Sequence, residues 1–84
     1  MQYEIRIIRS AEKEMDKLPG TVRDRIINKI LTLESNPRPK GAKKLSGRDE
    51  YRLRVSDYRI LFIISDTDRI VTIISVLHRR DAYR

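Results

Sequence analysis

Residues 50–65 read EYRLRVSDYRILFIIS, and how they pair decides the fold. On either side of Ser56-Asp57, polar and apolar residues alternate with the period of two that a half-buried strand requires. With Ser56-Asp57 as the turn, whether in a two-residue or a four-residue loop, Val55 faces Tyr58, Arg54 faces Arg59 and Leu53 faces Ile60. Tyr51, Leu53 and Val55 then share a face with Tyr58, Ile60 and Phe62, and that face is suited to a core. Arg52, Arg54 and Arg59 share the other. Two like charges stand directly opposite one another, which costs a fraction of a kcal/mol up to about 1. A local rule broken without visible compensation marks a candidate functional site. The plainer alternative is that the arginines decorate a solvated face with acidic neighbours. Against it, Asp57 is the only acidic residue between Tyr51 and Ile64, and it sits in the turn.

Outward from the hairpin, the turn SDTD leads to a further strand from Ile70 to Val76. At the start of the chain, QYEIRII (residues 2–8) alternates with Tyr3, Ile5 and Ile7 on one side and reads as a first strand. Ser10 is the expected cap of a short helix whose Ala11, Met15 and Leu18 lie on one face. Pro19-Gly20 interrupts that pattern, and Thr21 with Asp24 resembles a capping box that starts a second helix. Its stripe is Val22, Ile26, Ile30 and Leu33, joined by Ile27 and Leu31. Asn36 precedes a proline, which ends the helix. The segment NPRPKGAKKLSGRDE, residues 36–50, has no periodicity and carries Arg38, Lys40, Lys43, Lys44 and Arg48 against Asp49 and Glu50. The order β-α-α-β-β-β predicts an α+β domain, an antiparallel sheet with an αα-hairpin packed on one face.

The chain has 84 residues, and no linker divides them, so a single domain over residues 1–84 is expected. Nineteen Lys and Arg against twelve Asp and Glu give a formal net charge of +7, which points to a polyanionic partner. The absence of cysteine excludes disulfide scaffolds and Cys-based zinc sites, and a single histidine argues against His-rich metal sites. No cofactor is expected. MQYEIRIIRS lacks the apolar core of a signal peptide, and the longest apolar run, ILFII, is far short of the roughly 20 residues that span a bilayer. A soluble cytoplasmic protein with no membrane partner is the expectation.

The C-terminal VLHRRDAYR places His78, Arg79, Arg80, Tyr83 and Arg84 where the last strand ends. Guanidinium forks suit phosphate oxygens, and an aromatic ring beside a basic sheet face suits stacking on an unpaired RNA base. Taken singly, His78 reads as an ordinary exposed or structural histidine and Tyr83 as a packing aromatic.

Together, YRLRVSDYRILF, the strand RIVTIISV, HRRDAY, the preceding KKLSG and the helix pair resemble the RelE/ParE superfamily of toxins from toxin-antitoxin systems, most closely its RelE branch. The resemblance covers nearly the whole chain. It implies a ribosome-dependent endoribonuclease that cuts mRNA in the A site: the 2′-hydroxyl attacks the adjacent phosphate, leaving a 2′,3′-cyclic phosphate and a 5′-hydroxyl. It further implies that Arg59 and Arg79 stabilise the phosphorane and that Arg52 and Arg54 grip the backbone near the scissile bond. Tyr83 would orient or stack on the substrate, with Lys43, Lys44, Arg48 and Arg80 as further RNA contacts. Some members carry lysines where Arg52 and Arg54 stand. Arginine effectively never deprotonates, so neither side chain can act as a general base. His78 is the side chain with an unperturbed pKa near neutrality and is the candidate for the proton role.

The same resemblance implies a RelB-like antitoxin partner, a 70S-type ribosome with its mRNA as the target, and operator contact only through the antitoxin complex. Two rival functions remain open: a ParE-like toxin that inhibits DNA gyrase, and a basic RNA- or ribosome-binding module without chemistry.

Overall fold

The computed structural model describes residues 2–45 and 49–80, so Arg48 and Tyr83 lie outside the described residues. Strand β1 (Glu4–Ile7) runs straight into helix α1 (Arg9–Asp16), and α2 (Gly20–Thr32) follows. Strands β2 (Lys43–Lys44), β3 (Glu50–Val55), β4 (Tyr58–Ser65) and β5 (Ile70–His78) complete the chain. They form one sheet in the order β1-β5-β4-β3-β2.

The fold is the expected α+β arrangement, with two differences. The sheet is mixed, because β1 pairs with β5 in parallel, Glu4 beside Ile70 and Ile7 beside Ile73. In addition, a two-residue strand, β2, forms where no periodicity was visible, with Lys43 opposite Arg52 and Lys44 opposite Tyr51. Both arise from non-local pairing, to which alternation along the chain is blind.

The helix starts also differ from expectation. Ile8, not Ser10, is the residue before the first turn of α1: its N–H donates to the Ile73 carbonyl at 3.1 Å while its carbonyl accepts from Glu12 at 3.0 Å. One residue thus ends a strand ladder and begins a helix, leaving no room for a polar cap. Pro19 precedes the first turn of α2, its carbonyl accepting the Arg23 N–H at 2.9 Å, and Thr21 and Asp24 form no capping box. Proline lacks a donor and has a fixed φ, so it loses nothing at such a position.

The core lies between the helix pair and one face of the sheet. Ala11 and Met15 of α1 and Ile26 and Ile30 of α2 meet Leu53, Ile60, Phe62, Val71, Ile73 and Val76. Tyr51, Val55 and Tyr58 pack at its margin, so all six predicted inward residues of the hairpin face the helices. Leu31 does not join the stripe; it is 50% exposed. A bulge between Leu61 and Phe62 shifts the β4–β5 register. Nearby, the Glu14 carboxylate of α1 accepts from the Val76 N–H and the Ser75 hydroxyl, both at 3.1 Å. This satisfies a strand donor beyond the reach of β1.

At the far end of the sheet from the β3–β4 turn, a polar clasp holds the loop after α2. Arg38 reaches Asp66 in the β4–β5 turn with two N–H···O bonds, at 3.1 and 2.8 Å, and its Nε donates to the Tyr51 hydroxyl at 3.0 Å. The Tyr3 hydroxyl donates to the same carboxylate at 2.7 Å, and the Arg38 guanidinium sits 5.3 Å from the centroid of the Tyr51 ring. The hydrogen bonds from Arg38 and then Tyr3 hold the Asp66 carboxyl down to about 2, from an ordinary 3.8.

Two predictions follow from this packing. Phe62→Ala removes a fully buried ring and is expected to cost about 3–5 kcal/mol, enough to unfold much of so small a domain, whereas Leu31→Ala should stay within about 0.5 kcal/mol in urea titrations. For Asp66 the folded pKa lies below the unfolded one, so its stabilisation is complete above the unfolded value of 3.8 and disappears as pH falls through about 2. Denaturation midpoints measured from pH 5 to pH 2 should therefore drop less in Asp66→Asn than in the wild type. Parallel curves would show that the clasp does not act as described.

Candidate functional site

The face of the sheet turned away from the helices carries the unusual chemistry. Arg54 lies directly opposite Arg59, and Leu53 opposite Ile60, as the hairpin reading requires. Only Ser56 and Asp57 separate the two strands, with Ser56 at φ 55° in the left-handed region. Because Leu53 and Ile60 are buried, alternation forces their neighbours Arg52, Arg54 and Arg59 outward. β2 then sets Lys43 beside Arg52 on this face. Gly41, at φ +98°, makes the bend into β2 in a conformation that a residue with a Cβ rarely adopts.

Gly41, Lys43, Arg52, Arg54 and Arg59 line a single open hollow of about 260 Å³. Opposed residues start about 4.5–5.5 Å apart at Cβ, and residues two apart on a strand about 7 Å apart, so four cationic side chains start from one compact patch. Among the described residues, Arg52 and Arg54 take part in no ion pair. Arg38, by contrast, is held by Asp66 at the opposite end of the sheet.

The C-terminal candidates occupy a neighbouring site. Arg79 is anchored by its N–H to the Asp57 carbonyl in the hairpin turn, at 2.6 Å. Asp57, His78, Arg79 and Arg80 line a second hollow at this end of the molecule. Arg79 is therefore tied to the turn that joins the strands carrying Arg54 and Arg59, yet it lines a different hollow.

His78 lines this second hollow with Arg79 and Arg80 but not the hollow of Arg52, Arg54 and Arg59. It pairs with Tyr58, its ring meeting the Tyr58 ring edge-on with centroids 5.0 Å apart, and it borders a groove with Glu14, Lys17 and Leu18 on the helix side. Its Nδ1 accepts the Arg80 backbone N–H at 3.1 Å, so in the neutral ring the proton is on Nε2 and the free lone pair of a general base is already engaged. Lys44 pairs with Tyr51 and, by alternation, faces the helix side, away from Lys43.

Leu45, Leu61 and Leu77 border the arginine cluster and were not singled out from the sequence. The signal was present for Leu61, which shares the outward phase of Arg59 two residues earlier. Leu77 needed the pairing of Arg59 with Leu77 to be known, and the bulge hides it from simple counting. Gly41 was equally invisible as a site residue.

Comparison with known proteins fits this geometry. The sequence model of the family described as "ParE toxin of type II toxin-antitoxin system, parDE" matches residues 5–83. The RelE1 protein of Methanocaldococcus jannaschii is 32% identical, over 100% of this chain and 98% of its own. Among solved structures, the Mycobacterium tuberculosis RelBE2 toxin-antitoxin complex has a chain that superposes with a TM-score of 0.84 at 26% identity, covering 94% of this chain and 100% of that one. The archaeal RelE–RelB complex of Pyrococcus horikoshii gives 0.81 at 26% identity, covering 94% and 97%. The match spans both helices and the sheet face that bears the arginines, and the chain belongs to the RelE/ParE superfamily, whose members are toxins of type II toxin-antitoxin systems.

Proposed function

We propose that this toxin is a ribosome-dependent endoribonuclease that cleaves mRNA in the A site and so inhibits translation. The observation that carries this reading is the shared hollow of Lys43, Arg52, Arg54 and Arg59, where two arginines are forced face to face. In the proposed reaction the 2′-oxygen bonds to phosphorus, the P–O5′ bond breaks, the 2′-hydroxyl loses its proton and the departing 5′-oxygen gains one. Negative charge grows on the non-bridging oxygens as the phosphorane forms, and guanidinium donors already in place stabilise it without reorganisation. Arg54 and Arg59 are assigned this part, with Arg52 and Lys43 on the flanking backbone. Arg79, fixed at the turn, is also assigned to the phosphate, Arg48 and Arg80 to the RNA backbone, and Tyr83 to orienting or stacking on the substrate, whereas Lys44, turned to the helix side, is given no part.

His78 is given no proton role here, because its Nδ1 is engaged and its ring lies towards the helices. Proton transfer then falls to water or to groups of the ribosome, and positioning by the ribosome supplies the alignment that a small protein cannot. A RelB-like antitoxin is the proposed partner, since the relatives of known structure include RelE–RelB complexes. A partly acidic, extended segment that folds on binding suits the basic face.

A second reading has a specific observation in its favour. The matching family model is that of ParE toxins, while the solved relatives are RelE proteins. ParE-type action on DNA gyrase would need no cationic hollow around a scissile phosphate, so the arginine cluster favours the nuclease.

The test is purified protein added to programmed ribosomes, with mRNA read by primer extension. Wild type is expected to cut mRNA only when ribosomes are present. Arg59→Ala and Arg79→Ala should each lower cutting about a hundredfold or more. Arg54→Thr should do the same while holding stability constant or raising it by up to about 1 kcal/mol, because a like-charge pair is relieved. His78→Gln should cut within a few-fold of wild type. Intact mRNA together with inhibited supercoiling by gyrase would replace this reading with the ParE one.

A further inference from the structure

Beside the cationic hollow lies a second depression on the same sheet face, bounded by Leu45, Leu61, Leu77, Arg52 and Arg59, with a volume of about 170 Å³. The two hollows share Arg52 and Arg59 but differ in character. One is lined by Gly41 and four cationic residues, whereas the other is lined by three leucines together with Arg52 and Arg59. Its volume is well below the roughly 300–1,000 Å³ of sites that enclose a whole small molecule. It is large enough for a single planar ring system.

We propose that this depression is a pocket for one unpaired nucleobase, whose adjoining phosphate occupies the cationic hollow. Apolar side chains take the faces and edges of a base out of water, and arginine planes stack on its π surface, which is sequence-tolerant and electrostatically favourable. The shared arginines fix the geometry: a base and its own phosphate are covalently joined, so a pocket and a phosphate site sharing two side chains match one nucleotide. The charge of the surroundings favours an anionic occupant. With Lys43, Arg52, Arg54 and Arg59 alongside, a polyanionic strand is drawn to this face in preference to a neutral apolar segment. Leu45, Leu61 and Leu77 thereby become specificity determinants, since wall shape decides whether a purine or a pyrimidine is enclosed. The proposal deepens the nuclease reading and rests on it for the identity of the strand as RNA.

Binding tests it without relying on catalysis. A fluorescein-labelled, 2′-O-methylated RNA heptamer, which cannot be cleaved by 2′-oxygen attack, is compared by polarisation with the same strand made abasic at each position in turn. Removal of the base at one position is expected to weaken binding about tenfold, and removal elsewhere to matter less. Leu77→Asn, similar in size and uncharged, should lose that base-dependent factor and keep the affinity for a fully abasic strand. Leu45→Asn, in the loop before residue 46, provides a second variant, and the abasic series needs none. Equal affinity of wild type for intact and abasic strands at every position would overturn the pocket. Equal affinities with displacement by an acidic hexapeptide bearing one central phenylalanine would assign the depression to a protein partner's side chain and overturn it as well. Ribosome-dependent cutting with equal affinities sinks the pocket alone, whereas base-dependent binding without cutting sinks the nuclease alone.

Discussion

The register of the β3–β4 hairpin is the constraint on which the rest of the molecule depends. Leu53, Ile60 and Phe62 are each at most 2% exposed, and a slip by one residue would send them to solvent and carry the arginines into the core. Burying a large aliphatic side chain contributes about 1.5–3 kcal/mol, and several such residues act together here, whereas opposing Arg54 and Arg59 costs about 1 kcal/mol at most. The apolar face wins by a wide margin. Its victory compels a cluster of positive charge on the opposite face, so the core creates the site as a consequence of its own packing.

The two ends of the sheet handle arginine in contrasting ways. At one end Arg38 is matched to Asp66 through a bidentate contact, with Tyr3 and Tyr51 completing the network. There a guanidinium serves structure and pins the loop that leads to Gly41 and Lys43. At the other end Arg52 and Arg54 stand on rigid strands without an ion pair among the described residues. Strands hold side-chain origins more precisely than loops do, and a preformed array of donors is what charge development on phosphate demands. The clasp and the array are connected, because the loop fixed by Arg38 delivers Lys43 to its place beside Arg52.

A superfamily fold does not by itself select an activity, and RelE-type and ParE-type toxins share this architecture. Selection falls to the outer face of the sheet. In the function proposed above, the arginine cluster with its adjacent aliphatic depression addresses a nucleotide, its phosphate and its base, whereas the helix-covered face is occupied by the core. The position of His78 illustrates the same division. One strand alternates between faces, so a histidine next to Leu77, which borders the arginines, is directed to the helix side.

Local pattern was enough for the elements that repeat along the chain. The period of two in EYRLRVSDYRILF gave the hairpin, its register and the outward arginines, and the spacing of Ala11 and Met15 and of Ile26 and Ile30 gave the buried helix faces. The family resemblance added the expected roles of Arg59 and Arg79. Other features came only with tertiary structure: the parallel direction of β1, the short strand β2, the strand-to-helix junction at Ile8, and the separation of His78 from Arg54 and Arg59. Leu77 joins the site only because a bulge shifts β5 against β4. The physical reason is common to all of these. Side-chain alternation and helical spacing are properties of a segment, legible wherever it lies, whereas strand direction, shared hollows and the satisfaction of stray donors depend on which distant segments the burial of the core brings together.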